Sequence, residues 1–220
     1  VSNKNLLPIE MRGSNLLRPI MYEEKKGSAQ IKTCIIFSAI NTHGVTRIKA
    51  LHSRNHTELL LKYLNYPMKI KKQKKYDLIE LKGLNQFKSF NYKIPGDISS
   101  ASFFITLTLL SKDSELLIKN INLNPSRIGI LKILKKMNAK IKLLNVKNYK
   151  GEAIGDIKIK STKKLKSINC PKSLNSATID EFLLIFLIAA KSKGISIFKD
   201  LGELNKKESP RLDVAIKFLK

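Results

Sequence analysis

One pattern occurs three times along this chain and constrains its fold more than any other feature. A helix-length apolar run leads through a turn into a strand, then through a polar loop into a second helix. In the first copy, Ser28-Ala29-Gln30 opens a buried helix through Ile36 and Ile40, and Ser28 stands where a helix cap belongs. Cys34 lies within that apolar run and is expected in the core. Thr42-His43-Gly44 turns the chain, Val45–Ile48 reads as a strand, and the loop Leu51–His56 leads into an amphipathic helix over Thr57–Leu64. A strand around Met68–Ile70 closes the copy, and the lysine-rich run Lys69–Lys75 reads as a solvated hairpin. The second copy takes its apolar helix from Ser99-Ser100-Ala101-Ser102 through Leu110. Its strand is Glu115–Ile118, its amphipathic helix Arg127–Met137 and its last strand Lys140–Leu143. The third starts its apolar helix at Thr178-Ile179-Asp180-Glu181 and runs through Ala190. It turns at Lys193-Gly194, makes a strand over Ile195–Phe198 and enters a last helix after Lys207–Leu212.

Aligning Gly44, Ser114 and Gly194 spaces the copies 70 and 80 residues apart. Solenoid repeats have periods of about 20–50 residues, so a repeated unit assembled into globular domains fits better. The expected class is α/β (α+β). Ahead of the first copy, Leu6–Glu10 and Leu17–Tyr22 are short proline-containing runs suited to edge strands or extended segments. Tyr92–Asp97 contains the Pro95-Gly96 turn signal and places a domain boundary near residue 95, giving domains 1–95 and 96–220. The equivalent helix starts and loops are bland in copy two but polar and charged in copies one and three. That asymmetry reads either as a site shared by copies one and three or as simple divergence of a repeat.

Charge narrows the partners. Net charge is +25, which attracts anions such as nucleic acid, acidic lipid or phosphorylated metabolites. Yet lysine is scattered among many Ile and Asn residues, and AT-rich codons for all three can produce such a bias without selection for a polyanion. Tryptophan is absent and aromatics make up 7%, which leaves little for base stacking. Cys34 and Cys170 are too few for a disulfide framework and suit a reduced, cytoplasmic setting. The apolar run Phe182–Ala190 is nine residues, too short to span a bilayer. The chain opens without Met and closes inside a helical pattern, as expected of an internal piece of a longer protein. His52 and His56 share helical spacing but lack an acidic or thiol companion for zinc, and both read as surface residues along with His43.

Lys207-Glu208-Ser209-Pro210-Arg211-Leu212 concentrates two cations and a carboxylate at a helix start, where Ser209 can cap and Pro210 fits the first position. Alone, it reads as a solvated charge run or as an anion site with a proton-transfer group.

Taken in order, Ser28-Ala29-Gln30, Ser53-Arg54-Asn55-His56-Thr57-Glu58, Pro95–Ala101, Asn124-Pro125-Ser126-Arg127, Ile179-Asp180-Glu181 and Lys207–Leu212 resemble the 5-enolpyruvylshikimate-3-phosphate synthase family, in its Ser-Ala-Gln bacterial branch. Met11-Arg12-Gly13 and Pro19-Ile20 agree, and the resemblance covers essentially the whole chain. It implies two similar domains, each of three βαβαββ units. It implies transfer of the carboxyvinyl group of phosphoenolpyruvate to the 5-hydroxyl of shikimate 3-phosphate, with release of phosphate, in aromatic amino-acid biosynthesis. No metal or organic cofactor is implied, and no nucleic acid or membrane. The full-length protein is expected to be a monomer. Ser28, Ala29, Gln30, Arg54 and Lys207 would bind shikimate 3-phosphate, Gln30 also lying near phosphoenolpyruvate, and Arg211 would bind phosphoenolpyruvate. Asp180 would act as general base on the attacking hydroxyl, and Glu208 would relay a proton at the methylene carbon. Gln30 also reads as a satisfied interior amide, and Asp97 and Ser99 as residues shaping the interdomain turn, with a contact to substrate as the alternative.

The chain departs from the family pattern beside the site. Pro210 stands where the family usually has Asp, removing a side-chain acceptor, and Asn205-Lys206 replace the usual Arg-Val. A basic α/β module binding nucleic acid or another polyanion is the competing reading, and it predicts lysine gathered on one continuous face.

Overall fold

The computed structural model describes residues 12–206 and 209–219. Leu6–Glu10, Met11, Lys207 and Glu208 lie outside the described residues. The chain forms two compact units. One takes the residues up to His52 together with Asn65–Phe87; the other takes Ser53–Leu64 and the residues from Lys88 onward.

In the first unit, β1 (Met21–Glu24) is followed by helix α1 (Ala29–Ile40) and β2 (Val45–Leu51). β1 lies parallel to β2; the hairpin of β3 (Met68–Lys72) and β4 (Tyr76–Lys82) completes a sheet in the order β1-β2-β4-β3. Ile48, Ala50, Ile79 and Leu81 alternate along β2 and β4 and are buried. α1 turns Lys32, Ile36 and Ala39 inward, at spacings of four and three residues. That register puts Cys34 on the opposite face, exposed rather than in the core. A continuous apolar run marks a helix but does not say which face is covered.

The second unit begins with α2 (His56–Tyr63). It continues with α3 (Ile98–Leu110), β5 (Glu115–Asn122), α4 (Gly129–Lys136), β6 (Lys140–Tyr149) and β7 (Glu152–Lys160), and then α5 (Phe182–Ala190) and α6 (Arg211–Leu219). The strands form an antiparallel sheet, β5-β7-β6. Its buried face, with Ile141, Ile157 and Ile159, meets Ile105 and Leu109 of α3, Ile130 and Leu134 of α4, and Phe182 and Ile185 of α5 in one apolar core. Each such side chain contributes about 1.5–3 kcal/mol by leaving water. Two bulges interrupt the sheet, at 118–121 and 144–147. Asn120 and Asn145 take positive φ there, 56° and 51°. One carboxylate serves both: Asp156 accepts from the Asn120 N–H at 2.8 Å and from the Asn145 amide at 2.7 Å. After the first bulge β5 resumes its pairing at Ile121 and Asn122, and the strand ends at Asn122, two residues before Asn124.

The first two repeats are present as α1-β2-α2-β3-β4 and α3-β5-α4-β6-β7. Their common turn is marked by left-handed backbone at Gly44 (φ 98°), Asp113 (φ 46°) and Gly194 (φ 98°), so the residue equivalent to the glycines is Asp113, one before Ser114. The third repeat is less regular. α5 starts at Phe182 after a run of turns, not at Thr178. Ile195–Phe198 is not a strand. Ile197 makes only an isolated parallel bridge to Asn169, as Lys193 does to Lys166. Among the described residues no helix is long and apolar enough to cross a membrane.

Candidate active site

Four chain segments of the second unit converge on Asp180. Asp180 immediately precedes Glu181, the residue that caps α5. Arg54 lies just before Asn55, the cap of α2. Arg127 lies in the β5–α4 connection, just before Ile128, the cap of α4. Arg211 is the first residue of α6.

Close backbone approach holds two of these segments together. The Gly129 N–H donates to Ala177 O at 3.1 Å. A Cβ at Gly129 would lie 1.9 Å from Thr178 Oγ1 and 2.7 Å from Ala177 O, so only glycine lets α4 start this close to the loop entering Asp180.

Three guanidinium groups meet this one carboxylate. Arg54 Nη2 donates to Asp180 Oδ2. Arg211 Nη1 lies 3.3 Å from Asp180 Oδ1, and Arg127 Nη1 lies 3.7 Å from Oδ2. The other arm of Arg127 donates to Asp97 Oδ1 at 2.9 Å and to Ser99 Oγ at 2.7 Å. Asp97 also caps α3, its Oδ2 accepting from the Ser100 N–H at 2.8 Å. Burial works against ionisation of Asp97, but the Ser100 N–H and Arg127 more than offset it and hold its pKa below the usual aspartate value. Ser99 Oγ donates to Glu181, which is only 3% exposed. Burial raises the Glu181 pKa, the Ser99 hydrogen bond and Arg127 opposing it and the Asp180 charge adding to it. The cluster is an excess of planar donors around a partly buried carboxylate, an arrangement that suits anionic oxygens.

Arg54, Asp180 and Arg211 were therefore singled out by sequence and are together in one site. Ser28, Ala29 and Gln30 belong to the first unit. Ser28 Oγ accepts from the Ile31 N–H at 3.3 Å, as a cap does, and Glu24 orders the preceding turn through the N–H groups of Lys26 and Gly27. Gln30 is exposed, so it is not an interior amide. Lys207 and Glu208 lie outside the described residues. The sequence motifs contain Arg127 and Glu181 without marking them as site residues, and Asp97 and Ser99, expected at the turn, also bond into this cluster. His56 was read as a surface residue, yet its Nδ1 lies 2.6 Å from Glu152 Oε1.

Pro210 sits in the cap position of α6, its carbonyl accepting from the Val214 N–H at 3.0 Å. Proline has no side-chain acceptor, and among the described residues no α6 N–H bonds to the Ser209 hydroxyl. Asn205 supplies one: its Oδ1 accepts from the Leu212 N–H at 2.9 Å and the Asp213 N–H at 3.4 Å. Two departures from the family pattern thus offset each other at the helix start that holds Arg211. Among the described residues no cluster of His, Cys, Asp and Glu could hold a metal ion.

Comparison with known proteins identifies the family. Residues 1–220 match the family model described as EPSP synthase (3-phosphoshikimate 1-carboxyvinyltransferase). The chain is 38% identical over 214 residues to the 3-phosphoshikimate 1-carboxyvinyltransferase of Ruthia magnifica, covering 97% of this chain and 48% of the relative. It is 36% identical over 220 residues to that of Petrotoga mobilis, covering 99% and 50%. The EPSP synthase structure from Acinetobacter baumannii superposes with a TM-score of 0.81 at 32% identity, over 92% of this chain and 45% of that one. The enolpyruvyl transferase NikO from Streptomyces tendae shares the fold, with a TM-score of 0.53 at 14% identity over 82% of this chain and 44% of that one. The chain spans about half the length of the curated relatives it matches. On the match of the family model over residues 1–220, the chain belongs to the EPSP synthase (3-phosphoshikimate 1-carboxyvinyltransferase) family.

Proposed function

We propose that the Asp180 site serves transfer of the carboxyvinyl group of phosphoenolpyruvate to the 5-hydroxyl of shikimate 3-phosphate, with release of inorganic phosphate. The observation that carries this reading is three guanidinium groups directed at one carboxylate in a member of this family. Both substrates are polyanions, and their phosphate and carboxylate oxygens would compete with Asp180 for these donors. Asp180 would then be free to take the hydrogen of the attacking hydroxyl. A further support lies next to Arg54 in sequence: Ser53 Oγ is buried and has no hydrogen-bond partner among the described residues, so a substrate oxygen could satisfy it.

In this mechanism a proton adds to the methylene carbon of phosphoenolpyruvate, and positive character builds at the adjacent carbon. The 5-hydroxyl oxygen bonds to that carbon as its proton passes to Asp180. The tetrahedral intermediate then expels phosphate and loses the methyl proton, regenerating the vinyl group. Glu208 is assigned the proton relay at the methylene carbon, and Lys207 and Arg54 bind shikimate 3-phosphate together with Ser28, Ala29 and Gln30. Arg211 binds phosphoenolpyruvate. The arginines contribute by orienting the two anions and countering charge in the transition state. The reading calls for two small-molecule substrates and no metal or organic cofactor.

The test is phosphate release from phosphoenolpyruvate and shikimate 3-phosphate, assayed with the complete reading frame. Asp180→Ala is expected to lower turnover about 10²–10⁴-fold, the scale of a positioned general base. Turnover equal to the unmutated protein would refute the role.

A further inference from the structure

The Arg54 guanidinium can meet Asp180 only if the start of α2 is held in place, and the residues after Arg54 lead to a buried carboxylate 96 positions away in sequence. We propose that Glu152 is a positioning residue for Arg54: it anchors Asn55 and His56 through a closed hydrogen-bond network and so sets where Arg54 presents its donors. The proposal rests on the reading of the Asp180 cluster as the anion site.

Every link is short and directional. The β6–β7 hairpin turns at Lys150 and Gly151, both with positive φ, and delivers Glu152 as the first residue of β7. A Cβ at Gly151 would lie 2.9 Å from Leu59 O, so the turn carries α2 in direct contact with its backbone. Glu152 Oε1 then faces His56 Nδ1 at 2.6 Å and accepts from Asn124 Nδ2 at 2.7 Å, while Oε2 accepts from Asn122 Nδ2 at 2.8 Å. Asn124, 1% exposed, also donates to Asn55 Oδ1 at 3.0 Å. Its own Oδ1 accepts from the N–H and the hydroxyl of Ser126, and that hydroxyl reaches Asn55 as well. Asn55 and His56 are thus both tied, one through Asn124 and the other directly. Burial disfavours the Glu152 charge, but His56, Asn124 and Asn122 more than offset it and keep its pKa below the usual glutamate value. A buried carboxylate is costly unless its oxygens are satisfied. A scaffold needing only packing here would be served by an apolar side chain, whereas a charge with three directional partners fixes the orientation of what it holds.

The experiment is calorimetric titration of the full-length protein with shikimate 3-phosphate, alongside thermal melting. Glu152→Gln keeps the shape but places an amide donor opposite donors. It is expected to weaken binding about tenfold, the scale of one lost hydrogen bond to a charged group. His56 is 40% exposed, so His56→Ala provides a variant that folds, and it should shift affinity in the same direction. The decisive comparison places Glu152→Gln in an Arg54→Ala background. A residue acting through Arg54 adds no further loss there, whereas a structural residue adds its full effect. Additive losses would overturn the proposal, as would a lowered melting temperature with unchanged affinity. If Arg54→Ala alone leaves affinity unchanged, the anion-site reading itself falls.

Discussion

Asn205→Ala tests whether a residue three-dimensionally adjacent to a helix start can stand in for its missing cap. α6 follows Pro210 in the cap position, which offers no side-chain acceptor to the first free N–H groups. Asn205 Oδ1 takes the Leu212 N–H at 2.9 Å and, more weakly, the Asp213 N–H at 3.4 Å; its amide also donates to Asp213 Oδ1 at 3.0 Å. Those two N–H groups are the ones a local cap would serve, so the loss on truncation should equal that of a cap, about 1 kcal/mol. For a chain of this size that corresponds to about 2–4 °C in melting temperature. Pro210→Asp restores the residue the family usually carries and supplies a second acceptor. With Asn205 present, the N–H groups are already taken, and the change costs the rigidity of proline, about 0.4–1 kcal/mol. With Asn205→Ala, the same change recovers about 1 kcal/mol of capping against that cost. The two substitutions should therefore couple by about 1 kcal/mol in a double-mutant cycle read by thermal or urea unfolding. Additive effects, or an Asn205→Ala protein that melts with the parent, would refute the compensation.

Two further substitutions probe the ground beneath Asp180. Gly129→Ala forces a methyl group against Thr178 Oγ1 and Ala177 O, so it should destabilise by about 1–3 kcal/mol. Adding Thr178→Ala should recover only part of this in urea unfolding, because the Ala177 carbonyl remains 2.7 Å from the new Cβ position. For Glu181, burial raises the folded-state pKa above the ordinary 4.5, so between those two values the native state holds a proton that the unfolded chain has released. Stability from this group is full below 4.5 and declines as pH rises through the window. Glu181→Gln removes that dependence. The variant should gain on the parent as pH climbs and converge with it in acid; a difference constant across pH would refute the burial argument.

The parts of the fold legible in sequence are those written in local pattern. The apolar helices, the amphipathic helices and the turns at Gly44 and Gly194 follow from periodicity and from the need for left-handed backbone. Asp113 shows the limit, since a non-glycine residue takes the same conformation one position from the expected one. Cys34 shows another: in a helix whose apolar and polar residues do not separate onto two faces, the buried face is chosen by the sheet it meets. Ile195–Phe198 has strand composition but meets its neighbour only through single bridges. At the site, Asp180, Arg54 and Arg211 were recognisable because each sits in a motif. Glu152 carried no local signal, since its partners lie 96, 30 and 28 residues away and the role exists only once β7 and α2 are packed. Arg127 had a faint one, as the end of Asn124-Pro125-Ser126-Arg127.

That faint signal becomes stronger when it is set against composition. The chain has 42 lysines and arginines, of which only six are arginine: Arg12, Arg18, Arg47, Arg54, Arg127 and Arg211. Where a positive charge is needed only for solubility, lysine serves, and lysine is what covers this surface. A planar fork that can donate in two directions at once is a different requirement. Arg127 meets it literally, one nitrogen on Asp97 and Ser99 and the other toward Asp180. Three of the six arginines converge on one carboxylate, while the other three lie in the first unit or its approach. In a chain so biased toward lysine, net charge says little about function, and the positions where arginine is used instead say a good deal. The +25 charge is carried almost wholly by lysine, and the arginine cluster at Asp180 stands apart from it in residue type and geometry.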